Sequence, residues 1–129
     1  MNLSHALTRT APVLALGATL AVTMTAPAEA DSGWWFSSNS GASGYFKAYG
    51  DKTTACDIAT DGYLALVQIA SINNSLLYQV ADTRNDGRCT SRDASYFNLQ
   101  EGATYKIRVC VVRTGIRPQN CSVLHEFTA

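Results

Sequence analysis

Thr104-Tyr105-Lys106-Ile107-Arg108-Val109-Cys110-Val111-Val112-Arg113 is the stretch that decides the fold class. Tyr105, Ile107, Val109 and Val111 alternate with Lys106, Arg108 and Cys110, and a strand turns a period of two into two opposite faces. The apolar set is expected in a core, with Lys106 and Arg108 facing water. Runs of similar length lie on either side: residues 44–49 (GYFKAY), 63–71 (YLALVQIAS), 76–81 (LLYQVA) and 121–128. Asp61-Gly62, Asn73-Asn74-Ser75 and Asn85-Asp86-Gly87 punctuate them as turns. Val, Ile, Tyr and Leu dominate the runs, and none keeps helical spacing for three turns. The expected architecture is all-β: a small antiparallel β-sandwich.

The same strand bears on the cysteines. Cys56, Cys89, Cys110 and Cys121 are spaced by 33, 21 and 11 residues and form no C-x-x-C, so the spacing favours cystines over a zinc site. Four cysteines allow three pairings. A hairpin turning near Gly115 sets Cys110 opposite or nearly opposite Cys121, with Arg108 facing Val123 and Lys106 facing His125. Cys110–Cys121 is therefore expected, and Cys56–Cys89 is left to tie two inter-strand loops.

Two disulfides imply an oxidising compartment, and the N-terminus supplies the route to one. Residues 13–24 (VLALGATLAVTM) are an apolar run of twelve after Arg9, too short to cross a bilayer, which takes about 20 residues. Ala28-Glu29-Ala30 offers the small-x-small pattern of a cleavage site, so residues 1–30 read as a signal peptide and Asp31 as the mature start. The expected product is secreted and extracellular, with no membrane attachment once cleaved. Its 99 residues carry nine Lys+Arg and nine Asp+Glu, a balance that argues against nucleic acid as a partner. A chain of that size builds one core at most. Residues 31–43, rich in Ser and Gly around Trp34-Trp35-Phe36, read as a flexible N-terminal arm, and residues 44–129 as the sandwich domain.

Leu99-Gln100-Glu101-Gly102-Ala103-Thr104-Tyr105 resembles the turn that enters the sixth strand of fibronectin type III and related immunoglobulin-like sandwiches. The resemblance spans residues 96–111. It implies that the Tyr105 hydroxyl bonds back to the preceding turn as a tyrosine corner, and that Leu99 plugs the core beneath it. Gly-Tyr-Phe-Lys-Ala-Tyr-Gly-Asp (residues 44–51) and Thr-Ala-Cys-Asp (residues 54–57) are similar to segments of small secreted proteins of filamentous actinomycetes, a likeness that implies habitat and no mechanism.

No catalytic, cofactor or metal site emerges from the residues. His125 is the single histidine of the mature chain, there is no G-x-S-x-G, and the thiols are expected to be oxidised. Asp51, Asp57, Asp61, Asp82, Asp86 and Asp93 fall in or beside turns, where Asp bonds its own backbone. In Asp82-Thr83-Arg84-Asn85-Asp86-Gly87 an arginine occupies the third place of a calcium loop, so a turn is the reading.

Recognition surfaces are better represented. Arg113-Thr114-Gly115-Ile116-Arg117-Pro118-Gln119-Asn120 is a loop clamped at its base by Cys110–Cys121, and Arg113, Ile116 and Arg117 are its candidate contacts. Trp34, Trp35 and Phe36 are costly to leave wet, and either fold back on the sandwich or anchor a partner. Lys106, Arg108 and His125 make a third, weaker surface. The functional expectation is a secreted, non-enzymatic binding module for an extracellular protein or a cell-wall polymer. An inhibitor of an extracellular hydrolase and a structural component of the cell surface are the alternatives.

Overall fold

A computed structural model describes residues 31–129; the expected signal peptide, residues 1–30, lies outside them. Among the described residues there are strands and no helix: β1 (Trp35–Phe36), β2 (Ala42–Lys47), β3 (Lys52–Asp57), β4 (Leu64–Ser71), β5 (Leu76–Asp82), β6 (Cys89–Arg92), β7 (Thr104–Arg113), β8 (Ile116–Gln119) and β9 (His125–Thr128). They form two antiparallel sheets packed face to face. One runs β1-β2-β3-β6; the other runs β5-β4-β7-β8, with β9 also paired to β7.

Alternation places the core as the sequence suggests. Ile107, Val109 and Val111 of β7 are at most 1% exposed and pair with Ile69, Val67 and Ala65 of β4. Phe46, Ala42 and Ala55 face them from the other sheet, and Phe127 closes one end against Phe46 at 4.5 Å between ring centroids. The sheets approach closely at Gly44. A Cβ there would overlap Val67 Cγ2 and sit 2.9 Å from the Thr54 carbonyl oxygen, so glycine is what permits the approach.

Both expected disulfides are present, Cys56–Cys89 and Cys110–Cys121. The first differs from expectation in its setting. It joins directly paired residues of β3 and β6 within one sheet rather than two loops. Neither flanking strand advertises itself in sequence, because apart from the terminal Lys52, Asp57 and Arg92 both are built from Thr, Ser, Ala and Cys. The buried hydroxyls of β3 are satisfied sideways: Thr53 Oγ1 meets Tyr78 Oη at 2.7 Å and Thr54 Oγ1 meets Ser91 Oγ at 2.8 Å. A strand can therefore be buried here without Val or Ile.

The flexible arm is also corrected. Trp35 pairs with Gly44 and Phe36 with Ser43, so the first sheet begins at β1 and not at residue 44. Polar side chains fasten the approach to it. Phe46 N–H donates to Ser32 Oγ at 2.8 Å, and Ala48 N–H donates to Asp31 Oδ1 at 3.0 Å. The Ser and Asp that suggest disorder in sequence supply hydrogen bonds that lay the segment along β2.

The β7 hairpin departs from a single register. Arg113 pairs with Ile116 and Val111 with Gln119, Cys110 is bridged to Cys121, and Ile107 pairs with His125, so the register slips by one residue repeatedly between tip and base. Asn120, at φ 48°, breaks β8 from β9, and Ser122 Oγ accepts the Val109 N–H at 3.0 Å where a regular ladder would use a carbonyl. A one-residue slip exchanges faces. His125 consequently opposes Ile107 rather than Lys106 and points to the core side.

The turn before β7 has Gly102 at φ 74°, and its N–H donates to the Ala129 carbonyl at 2.7 Å. Tyr105 Oη accepts the Gln100 N–H at 2.9 Å, and Leu99 is buried beneath.

Candidate binding surfaces

A two-sheet sandwich has two lateral sides, each formed where an edge strand of one sheet faces an edge strand of the other. The first side here is β1 against the β7–β8 hairpin and β9. The second is β5 against β6. Both carry side chains that the core does not use.

On the first side the three neighbouring aromatics divide by strand alternation. Trp35, opposite Gly44, turns inward and stacks on the His125 ring, with centroids 3.5 Å apart and planes within 6°. Trp34 and Phe36 turn to the outer face and are each 51% exposed. Trp34 leans on the Tyr45 ring at 4.5 Å, so its indole is held against β2. The position of Trp35 explains why the histidine packs instead of pointing outward, and its Nε1 is buried without a hydrogen-bond partner among the described residues.

The hairpin meets this side at its base. Ser38 N–H donates to the Asn120 carbonyl at 2.8 Å, bringing the end of β1 beside the end of β8. The expected loop is largely a strand, with Ile116, Arg117, Pro118 and Gln119 all exposed and Gly115 at φ 75° forming the tip. Arg113 is exposed at the end of β7, and Ile116 is 42% exposed. Two candidate surfaces that are separate in the sequence therefore lie on one side of the sandwich.

The third surface does not assemble as expected. Lys106 and Arg108 are half-buried, and His125 lies on the opposite face from them. Arg108 Nε donates to Gln68 Oε1 at 2.7 Å, and Gln68 Nε2 donates to Gln79 Oε1 at 3.1 Å, a row that ties three strands together. Lys106 Nζ donates to Asn74 Oδ1 at 2.8 Å. These polar groups brace the outer face of the second sheet.

The aspartates split into two kinds. Asp57, Asp61, Asp86 and Asp93 each accept the N–H two residues ahead, the Asx geometry of a turn. Asp51 and Asp82 are 2% and 1% exposed and clasp distant chain segments, although Asp82 also accepts the Arg84 N–H two residues ahead at 3.4 Å. Asp51 Oδ2 accepts the Leu99 N–H at 2.8 Å. Asp82 Oδ2 accepts the Asp57 N–H at 3.1 Å, while its Oδ1 takes the Thr90 hydroxyl at 2.9 Å. Burial raises the Asp57 carboxyl above its ordinary range, the Ala59 N–H partly offsets that, and the nearby Asp61 and Asp82 add to the rise. Burial likewise pushes Tyr78, behind the β5–β6 side, up to about 12 despite its bond to Thr53.

The exposure of Phe36 on a fixed strand, with Trp34 just before it, has no signal in sequence beyond aromatic clustering, because the strand itself is only two residues long. The β5–β6 side is missed altogether: it juxtaposes segments from either side of a turn, and β6 has no apolar pattern. No protein-family model matches the chain, and no similar curated protein or solved structure is found.

Proposed function

We propose that the protein is a secreted, non-enzymatic, immunoglobulin-like binding module that attaches to a cell-wall polymer through the outer aromatics of its β1 side. The carrying observation is that Trp34 and Phe36 are half-exposed yet held, Phe36 within the paired strand β1 and Trp34 just before it against the Tyr45 ring. Exposed aromatics on a loose chain would lose entropy on contact; on a strand that cost is already met in folding. The two cystines agree with an extracellular setting. The sheet partition, β2-β3-β6 against β5-β4-β7-β8, and the bond from the Gln100 N–H to Tyr105 Oη support the immunoglobulin-like reading. Co-sedimentation of the 31–129 protein with insoluble cell-wall polysaccharide tests the proposal. Retention at micromolar protein, reduced at least tenfold by Trp34→Ala with Phe36→Ala and with thermal unfolding little changed, is the expected result. Retention that the double substitution does not alter, or no retention, contradicts it.

The alternative of a hydrolase inhibitor draws support from the hairpin, whose four exposed β8 residues project beyond the Cys110–Cys121 bridge. Pro118 after Arg117 would resist tryptic cleavage. A panel of secreted proteases and glycosidases at micromolar protein tests this reading, and the absence of any inhibition removes it.

A further inference from the structure

The lateral side opposite the aromatics holds a groove of about 530 Å³ between β5 and β6. Three features of it belong together. The first is its backbone. Among the described residues β5 pairs only with β4, and β6 only with β3, so each strand leaves a main-chain edge unpaired along the groove. Such an edge is a template for another strand. A bulge at Leu77 disturbs the start of β5, where Leu76 pairs with Ala70 and Tyr78 with Ile69. Gln79, Val80 and Ala81, which line the groove, lie past that irregularity in regular register.

The second feature is charge. Arg84 and Arg92 stand in the groove wall, and neither guanidinium meets an acidic partner among the described residues. Arg92 lies over the Tyr96 ring at 5.8 Å. The acids nearby are committed elsewhere. Asp82 is buried and has both oxygens occupied, while Asp86 and Asp93 bond their own turns. The mature chain has no net charge, so this is a local excess and not a general one.

The third feature is rigidity. Cys56–Cys89 pins β6 to β3, the Thr90 hydroxyl is tied to Asp82, and Thr53 is bonded to Tyr78 behind the groove. The two walls are thus fixed to each other across the sheets. A ligand would meet a preformed slot with little to reorganise.

We propose that this groove is a second binding site, taking an extended acidic peptide that adds as a strand to the free edge of β5 and sets its carboxylates on Arg84 and Arg92. Backbone pairing supplies the affinity, and the two guanidinium groups select acidic side chains on the incoming strand. Thr90 and Ser91 complete the polar wall opposite β5. An acidic polysaccharide satisfies the charge but cannot complete the ladder, so the unpaired edge favours a peptide.

Amide NMR titration of the 31–129 protein with a synthetic peptide of alternating Glu and Val tests this. Shift changes confined to residues 79–84 and 89–92, with saturable submillimolar binding, are expected. The same peptide N-methylated at alternate residues should bind at least tenfold more weakly, as should Arg84→Gln with Arg92→Gln titrated with the unmodified peptide. Both arginines are exposed, and an unaltered spectrum elsewhere establishes that the variant is folded. Polygalacturonate binding as well as the peptide, N-methylation without effect, shifts centred on the β1 side, or no saturation would each overturn the proposal. Trp34→Ala with Phe36→Ala should leave this titration unchanged, so the site stands or falls independently of the polymer-binding face.

Discussion

Gly44 bears more of the architecture than its size suggests. It lies in β2 opposite Ala55, where the Cγ2 methyl of Val67 from the other sheet occupies the space a side chain would need. Val67 is fully buried, and the Thr54 carbonyl oxygen would stand 2.9 Å from the added Cβ as well. Gly44→Ala is expected to lower unfolding free energy by on the order of 1–3 kcal/mol, the usual cost of overpacking, as read by chemical denaturation. A variant as stable as the parent would mean that the sheets are not in contact at that point. In sequence the same glycine reads only as the first residue of a run, because close approach between sheets leaves no local trace. Asp51 and Asp82 pose a related problem. Sequence places them with the turn aspartates, yet their burial is set by Leu99, Asp57 and Thr90 arriving from elsewhere in the chain.

Elements differ in how clearly they are written. Thr104–Arg113 is legible to its ends because it is central, paired on both sides, and alternates Tyr, Ile and Val with polar residues. β3 and β6 are not legible, since hydroxyl pairs and a cystine replace the apolar side chains that would reveal a strand. β1 is hidden by its length and by Ser and Gly neighbours that look disordered. The hairpin shows why pairing and register are separate problems. Cys110–Cys121 follows from proximity alone, whereas the partner of His125 depends on each bulge between them. Loop closure argues that the bridge spanning 33 residues stabilises the fold by about 4 kcal/mol and the one spanning 11 by about 3 kcal/mol. Replacing Cys56 and Cys89 with Ala should therefore cost more than replacing Cys110 and Cys121, as read by two denaturant titrations. The reverse order would place the weight on the β7 hairpin instead.

At the scale of the molecule, the sandwich sorts its unused side chains to its two lateral sides. One presents Trp34 and Phe36 near the base of the β7–β8 hairpin; the other presents arginines beside unpaired strand edges. Sequence supplies the residues of the first side as two unconnected candidates, and only the pairing of β1 with β2 and the contact between Ser38 and Asn120 unite them. The second side needs the crossing from β5 to β6 and has no motif to announce it. Polymer binding by the first side requires that residues 31–37 be a built part of the first sheet before any partner arrives. Nuclear Overhauser spectroscopy of the unliganded 31–129 protein tests that directly. Cross-peaks between the Trp35 indole and the His125 ring, and between Trp35 and Gly44 backbone protons, are predicted. Random-coil shifts for residues 31–37 without those cross-peaks would contradict it.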